Sequence, residues 1–194
     1  MALGRVIDRD NRWTGPFLPA DAVPVDVYSL NVPVPSEVAR LALDLAREVP
    51  TVTPRQRGEH TLVAKRLGAD GRPPNVTDAR TREALAGEPP VAVRITSVDW
   101  FPEPTSGPGP VLYLAVESPG LRALHERLCA VFDPVPDVEG DAYTPHVTIA
   151  RGGDREATRR LCERDIEPIE WVVDELELYD AERSLASGTV ALSG

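Results

Sequence analysis

The hydrophobic and polar positions change period several times along the chain, dividing it into strands and helices. VDVYSLNVPV, from residue 25, alternates with a β-branched bias and predicts a strand that Pro33 and Pro35 end. Ser36 is placed as an N-cap with Glu37 in the first turn. Val38, Leu41, Ala42, Leu45 and Val49 then recur at helical spacing until Pro50. After the basic loop Arg55-Gln56-Arg57-Gly58, EHTLVAKRLG predicts a second strand. Thr77 caps a short helix to Ala86, which Gly87, Pro89 and Pro90 stop. VAVRITSVDWF alternates again, with Val91, Val93, Ile95 and Val98 inward.

The same order returns after the loop EPTSGPGP. VLYLAVES predicts a strand, and residues 120–132 a helix with Leu121, Leu124, Leu128 and Val131 on one face. The loop DPVPDVEGDAY leads to the strand TPHVTIAR, with Pro145 confined to its start. Asp154 caps an Arg- and Glu-rich helix that ends near Asp165; EWVVDELELYD is a strand and TVALSG a final edge strand. Residues 1–24 are polar, proline-punctuated and without period, an irregular extension. The expectation is an α+β (mixed α/β) domain over 25–194. It is built from duplicated β-α-β-α-β halves, lobes roughly 25–104 and 110–194, with two antiparallel-type sheets around a central cleft. His60 falls in the middle strand of the first half and His146 in that of the second, so pseudo-symmetry sets them across one cleft.

Composition narrows this picture. A chain of 194 residues with 42% hydrophobic content can bury a substantial core. No apolar run is long enough to span a bilayer, and the charged start MALGRVIDRDNRWTGPF reads as no export signal, so a cytoplasmic location is expected. Cys129 and Cys162 sit in helical segments as small apolar residues; without CxxC spacing, and with three histidines, no metal site is expected. The net charge of −10 argues against a broad grip on duplex DNA but leaves room for a small site handling one phosphate. Lys65 is the only lysine among 21 cationic residues, and this acidic, arginine-biased composition suits a salt-adapted cytoplasm.

Candidate chemistry concentrates in TPHVTIAR. Alternation puts His146, Thr148 and Ala150 on one face and Val147 and Ile149 on the other. A hydroxyl two residues from an imidazole can hold a phosphate oxygen while the histidine moves a proton near neutrality. Arg151 adds a charge-assisted donor at the strand end. An isolated triplet of this kind reads first as a core histidine satisfied by a neighbouring backbone group; a second histidine at the equivalent point of the other half shifts the balance. His125 is placed on a solvated helix surface, Tyr143 as a packed strand-entrance residue, and Trp100, Phe101 and Trp171 in the core. DREATRRLCERD reads as a solvated helix face, and no glycine-rich phosphate loop, Ser-His-Asp order or HExxH motif is present.

From about residue 25 to the C-terminus the chain resembles the 2H phosphoesterases, within them the 2′-5′ RNA ligase or RNA 2′,3′-cyclic phosphodiesterase group. The resemblance rests on the opening strand and proline-led helix, VAVRITSVDWFP, VLYLAVE and TPHVTIAR, the last similar to the second His-x-Thr/Ser-x motif of that family. It implies that His60 and His146 flank a cyclic phosphodiester as acid and base, with Thr148 holding a phosphoryl oxygen and no cofactor needed. The implied partners are RNA ends or cyclic nucleotides as substrate, with no membrane and a monomeric protein. The implied reaction opens a 2′,3′-cyclic phosphate to a 2′-phosphomonoester; reversible 2′-5′ ligation would use the same residues.

The first motif departs from the pattern. In His60-Thr61-Leu62-Val63 the hydroxyl follows the histidine by one residue, so regular alternation turns Thr61 away from His60 and leaves Leu62 where a phosphate donor belongs. A bulge that returns Thr61 to the cleft as a phosphate ligand, replacement by Lys65, Arg66 or Arg57, and a degenerate half-site that binds without turnover all remain open.

Overall fold

The computed structural model describes residues 28–56, 58–68, 74–180 and 185–194. The extension 1–24, the first residues of the opening strand and Arg57 lie outside the described residues. The chain runs β1 (Tyr28–Val32), α1 (Ser36–Ala46), β2 (Val52–Pro54), β3 (Leu62–Arg66), α2 (Pro74–Ala84) and β4 (Val91–Phe101). It continues through β5 (Val111–Glu117), α3 (Pro119–Cys129), a short 3-10 helix (Gly140–Ala142), β6 (His146–Gly152), α4 (Arg155–Cys162), β7 (Ile169–Val173), β8 (Glu175–Asp180) and β9 (Leu185–Ala191). No helix among the described residues is long and apolar enough to cross a membrane.

This is the expected α+β class: a duplicated β-α-β-α-β-like arrangement in a curled antiparallel sheet around a cleft. The strands follow one hydrogen-bonded path, β7-β4-β5-β6-β3-β1-β8-β9, with β2 added to β6. Its two antiparallel halves meet where Leu62 pairs with Val147 across β3 and β6. They interleave the sequence: β4 lies between β5 and β7, whereas β8 and β9 join β1. The sequence units 25–104 and 110–194 therefore do not coincide with the halves of the sheet.

One core joins sheet and helices. Val38, Ala42 and Leu45 of α1, Leu121, Leu124 and Leu128 of α3, and Leu161 of α4 pack with Leu30, Leu62, Ile95, Leu114, Val147 and Ile149. Each large aliphatic side chain enclosed there contributes about 1.5–3 kcal/mol relative to exposure. Val91, Val93, Ile95 and Val98 are all buried as expected, and the step of three after Ile95 has a cause. Thr96 is an extra residue in the β4–β5 register, so alternation resumes one position late.

Several boundaries differ from expectation. Ser36 is the first helical residue and makes no cap; Pro35, with extended ψ, is the N-cap. Thr77 sits inside α2, where its carbonyl accepts the Thr81 hydroxyl. The three-residue strand β2 has no counterpart in the sequence pattern, being short and proline-ended. EWVVDELELYD breaks at Asp174, because β7 belongs to the β4 edge and β8 to β1, on opposite halves of the sheet. The Asp154 carboxylate does cap α4, accepting the Ala157 N–H at 2.7 Å, and β9 is the edge strand.

Candidate phosphate-handling cleft

The pairing of Leu62 with Val147 fixes the faces. Paired residues of adjacent strands share a face, and both are completely buried against the core. His146 and Thr148 therefore point to the opposite face, the cleft side, as does Val63. Carried back one residue, the register puts half-buried Thr61 on that side, across from Thr148.

A bulge then changes the second motif. Tyr113 pairs with Thr148 but Leu112 pairs with Ala150, so Ile149 is an extra residue on β6. Ala150 is thereby turned into the core beside Leu112, correcting its expected place beside His146. Arg151, paired with Val111, comes onto the cleft face instead. Its guanidinium donates to the Ser106 carbonyl at 2.9 Å. Gly107 lets that loop close on it: φ is +72°, and a Cβ there would lie 3.2 Å from the guanidinium.

A cleft of about 310 Å³ is lined by Arg66, Phe101, Val111, Thr144, His146 and Arg151, with Glu103 and Asp137 also on its wall. Phe101 is thus a cleft residue, not the core residue expected. The His146 ring is held from three sides. Nδ1 lies 2.7 Å from the Thr144 carbonyl, while Phe101 meets the ring edge-on at 5.1 Å and Tyr113 at 5.2 Å. A carbonyl only accepts, so Nδ1 carries the proton and Nε2 keeps its lone pair. Burial lowers the His146 pKa; the Thr144 bond opposes this, and the Arg66 and Arg151 cations push it further down. These effects favour the neutral imidazole over its cation.

His60 is placed differently. It precedes β3 rather than lying within it. It is 7% exposed, and both ring nitrogens are enclosed without a hydrogen-bond partner. Burial, followed by Arg55, holds its pKa down. The structure brings His146 and Arg151 into one cleft, with Thr148 and Thr61 on the same sheet face, and the charge of Arg55 acts on both His60 and Arg151. Leu62 occupies the core, not the phosphate position.

The remaining histidine also departs from expectation. His125 is 1% exposed and bridges the fold: Nδ1–H donates to the Ala64 carbonyl at 2.8 Å, and Nε2 accepts the Gly140 N–H at 2.9 Å. Tyr143 is packed, as expected; it stacks on His125 at 3.7 Å and donates its hydroxyl to the Val63 carbonyl. Lys65 is fully enclosed. Its ammonium lies 2.6 Å from Glu139 and donates to the carbonyls of Arg66 and Asp133. Glu139 also accepts the backbone N–H groups of Arg66 and Val135. This network ties β3 to the segment that carries Asp137 and Val138 to the cleft wall. Cys129 and Cys162 are free and half-buried, and among the described residues no group of three or more His, Cys, Asp or Glu is arranged to hold a metal ion.

No protein of curated function matches this chain in sequence. Solved structures share its fold. TT0787 of Thermus thermophilus superposes with a TM-score of 0.58 at 20% identity, covering 86% of this chain and 98% of that one. E. coli LigT complexed with NADP+ gives 0.57 at 20% identity, covering 86% and 97%. E. coli LigT complexed with 3′-AMP gives 0.54 at 19%, covering 86% and 94%. The sequence profile of the 2′-5′ RNA ligase superfamily matches residues 61–185, well over half the chain. With that match laid over the duplicated fold and its His-Val-Thr-Ile strand, the chain belongs to the 2′-5′ RNA ligase superfamily, within the 2H phosphoesterases.

Proposed function

We propose that the cleft binds a phosphoester of a nucleotide or RNA end and opens 2′,3′-cyclic phosphates, with His146 as the proton-transferring group. The observation that carries this reading is the fixed tautomer of His146, whose Nε2 lone pair lies in a cleft that also holds Arg151. Nε2 takes a proton from water as the water oxygen bonds to phosphorus; the P–O3′ bond breaks and leaves a 2′-phosphomonoester. Thr148 and Thr61 donate to phosphoryl oxygens, and Arg151 stabilises the charge that builds on them. In the two-histidine version, His60 protonates the departing 3′ oxygen, which requires its ring to leave its enclosed site. In the one-histidine version that proton comes from solvent. LigT has been solved with nucleotides, which supports a nucleotide as the bound species.

The enclosure of His60 favours a second reading, in which the same cleft binds an RNA end or nucleotide without turnover. Incubation with adenosine 2′,3′-cyclic monophosphate in EDTA separates the two. Turnover predicts adenosine 2′-monophosphate as product and a loss of about 100-fold or more in His146→Ala. Saturable binding without product selects the binding module; folded protein that neither binds nor hydrolyses the nucleotide excludes both.

A further inference from the structure

Arg66 reaches the cleft by a route that plain alternation does not give. Across β1 and β3, Asn31 pairs with Val63 but Leu30 pairs with Lys65, so Ala64 is an extra residue on β3. Lys65 consequently joins Leu30 on the core side, where it is enclosed, and Arg66, paired with Ser29, returns to the cleft side. Ile149 does the same for Arg151 on β6. Each of the two strands that meet at Leu62 and Val147 thus uses one inserted residue to turn an arginine onto the His146 face.

Arg66 is also held there. Its side chain is 29% exposed, and Nη1 lies 3.6 Å from Glu139 Oε1. The same carboxylate accepts the Arg66 backbone N–H at 2.7 Å and is itself pinned by Lys65. Arg66 and Arg151 line one cleft with His146, and the charges of both depress the imidazole. Glu103 and Asp137 line that cleft too, in a chain of net charge −10, so an anion there depends on the two guanidiniums.

We propose that Arg66 is a second guanidinium holding the substrate's phosphate alongside Arg151, positioned by Glu139. This rests on the phosphoester reading above and adds a preference to it. Two guanidiniums hold a dianionic phosphomonoester more tightly than a monoanionic cyclic diester. Arg66 also adds, on the β3 side, a cationic donor in addition to the hydroxyl of Thr61.

The test titrates adenosine 2′-monophosphate and adenosine 2′,3′-cyclic monophosphate calorimetrically into wild type, Arg66→Gln, Arg66→Lys and Arg94→Gln. Arg94 is an exposed residue of β4 paired with Glu170, and its variant is the control. In parallel, NMR follows the titration of the His146 ring. Arg66→Gln is expected to bind the monophosphate about tenfold or more weakly, with a smaller effect on the cyclic diester. It is also expected to raise the His146 pKa relative to wild type, because a nearby cation is gone. Arg94→Gln should change neither. If wild type binds and turns over neither nucleotide, the phosphoester reading falls. If wild type binds and Arg66→Gln binds equally, with the His146 titration unmoved, the role of Arg66 falls and that reading stands. Should Arg66→Gln fail to fold, Arg66→Lys decides: it keeps the charge but not the two-pronged donor, and binding equal to wild type overturns the proposal.

Discussion

Replacing Lys65 by methionine keeps most of the side-chain volume and removes the ammonium. Three acceptors lose their donor: Glu139 Oε2 at 2.6 Å, the Arg66 carbonyl at 2.6 Å and the Asp133 carbonyl at 3.1 Å. Glu139 keeps two backbone N–H donors, so it is not stripped bare, but it stays enclosed without its main cation. Removing one partner of a buried pair of this kind costs about 3–5 kcal/mol. With a urea slope of about 2 kcal/mol per molar, the unfolding midpoint falls by about 1.5–2.5 M. Adding Glu139→Leu should not restore stability, because the N–H groups of Arg66 and Val135 would then be orphaned as well. The pH dependence gives a second handle. Burial alone would raise the Glu139 pKa, but the bonds from Lys65, Arg66 and Val135 outweigh it and hold the carboxyl below the usual range. A depressed carboxyl contributes stability above its unfolded value and loses it as pH falls through the folded one. In Lys65→Met the lowering by the ammonium is gone and the desolvation remains. The gap between the two proteins should therefore be widest near neutrality and narrow as pH drops below the ordinary glutamate range. Urea titrations followed by tryptophan fluorescence at several pH values measure both effects. A midpoint shift under about 0.5 M at neutral pH would refute the reasoning.

His60→Leu removes two enclosed, unpartnered nitrogens; we expect thermal stability to hold or rise by about 1 kcal/mol. A buried histidine with a depressed pKa contributes stability above its ordinary range and loses it as pH falls, so the variant should also lose less stability on mild acidification. If His60→Leu abolishes turnover while remaining folded, the one-histidine mechanism is wrong. Because burial and two arginines lower His146, the acid limb of the pH–rate profile should lie below an ordinary histidine, and a limb above it would count against His146 as the base. Asp154→Ala should cost about 1 kcal/mol through loss of the α4 cap, read as a shift in melting temperature; no shift would mean that the cap is frayed in solution.

The order of elements is legible because each strand and helix carries its own period and its own stop residues. Val91 to Val98 keeps its inward pattern even through a bulge, since the valines themselves mark the slip. Elsewhere a single inserted residue leaves no trace. Nothing in HVTIAR shows that Ile149 is extra, so alternation puts Ala150 on the wrong face and hides the reason Arg151 faces the cleft. Ala64 likewise conceals how Arg66 gets there. His125 has a visible signal: with Leu121, Leu124 and Leu128 it completes the i, i+3, i+4, i+7 stripe of α3, although Glu126 and Arg127 beside it suggest a surface. His60 has none, because nothing in EHTLV shows that β3 begins only at Leu62 and leaves the histidine outside the strand.

Lys65 is the only lysine in the chain, and in the fold it is completely enclosed. An acylating reagent therefore finds no side-chain amine on the native surface, and a lysine-specific protease has one cutting site, inside the core. Modification or cleavage at that residue requires β3 to part from the 133–139 segment. The rate of either reaction is a clock for that one opening, readable by intact mass and without an introduced label.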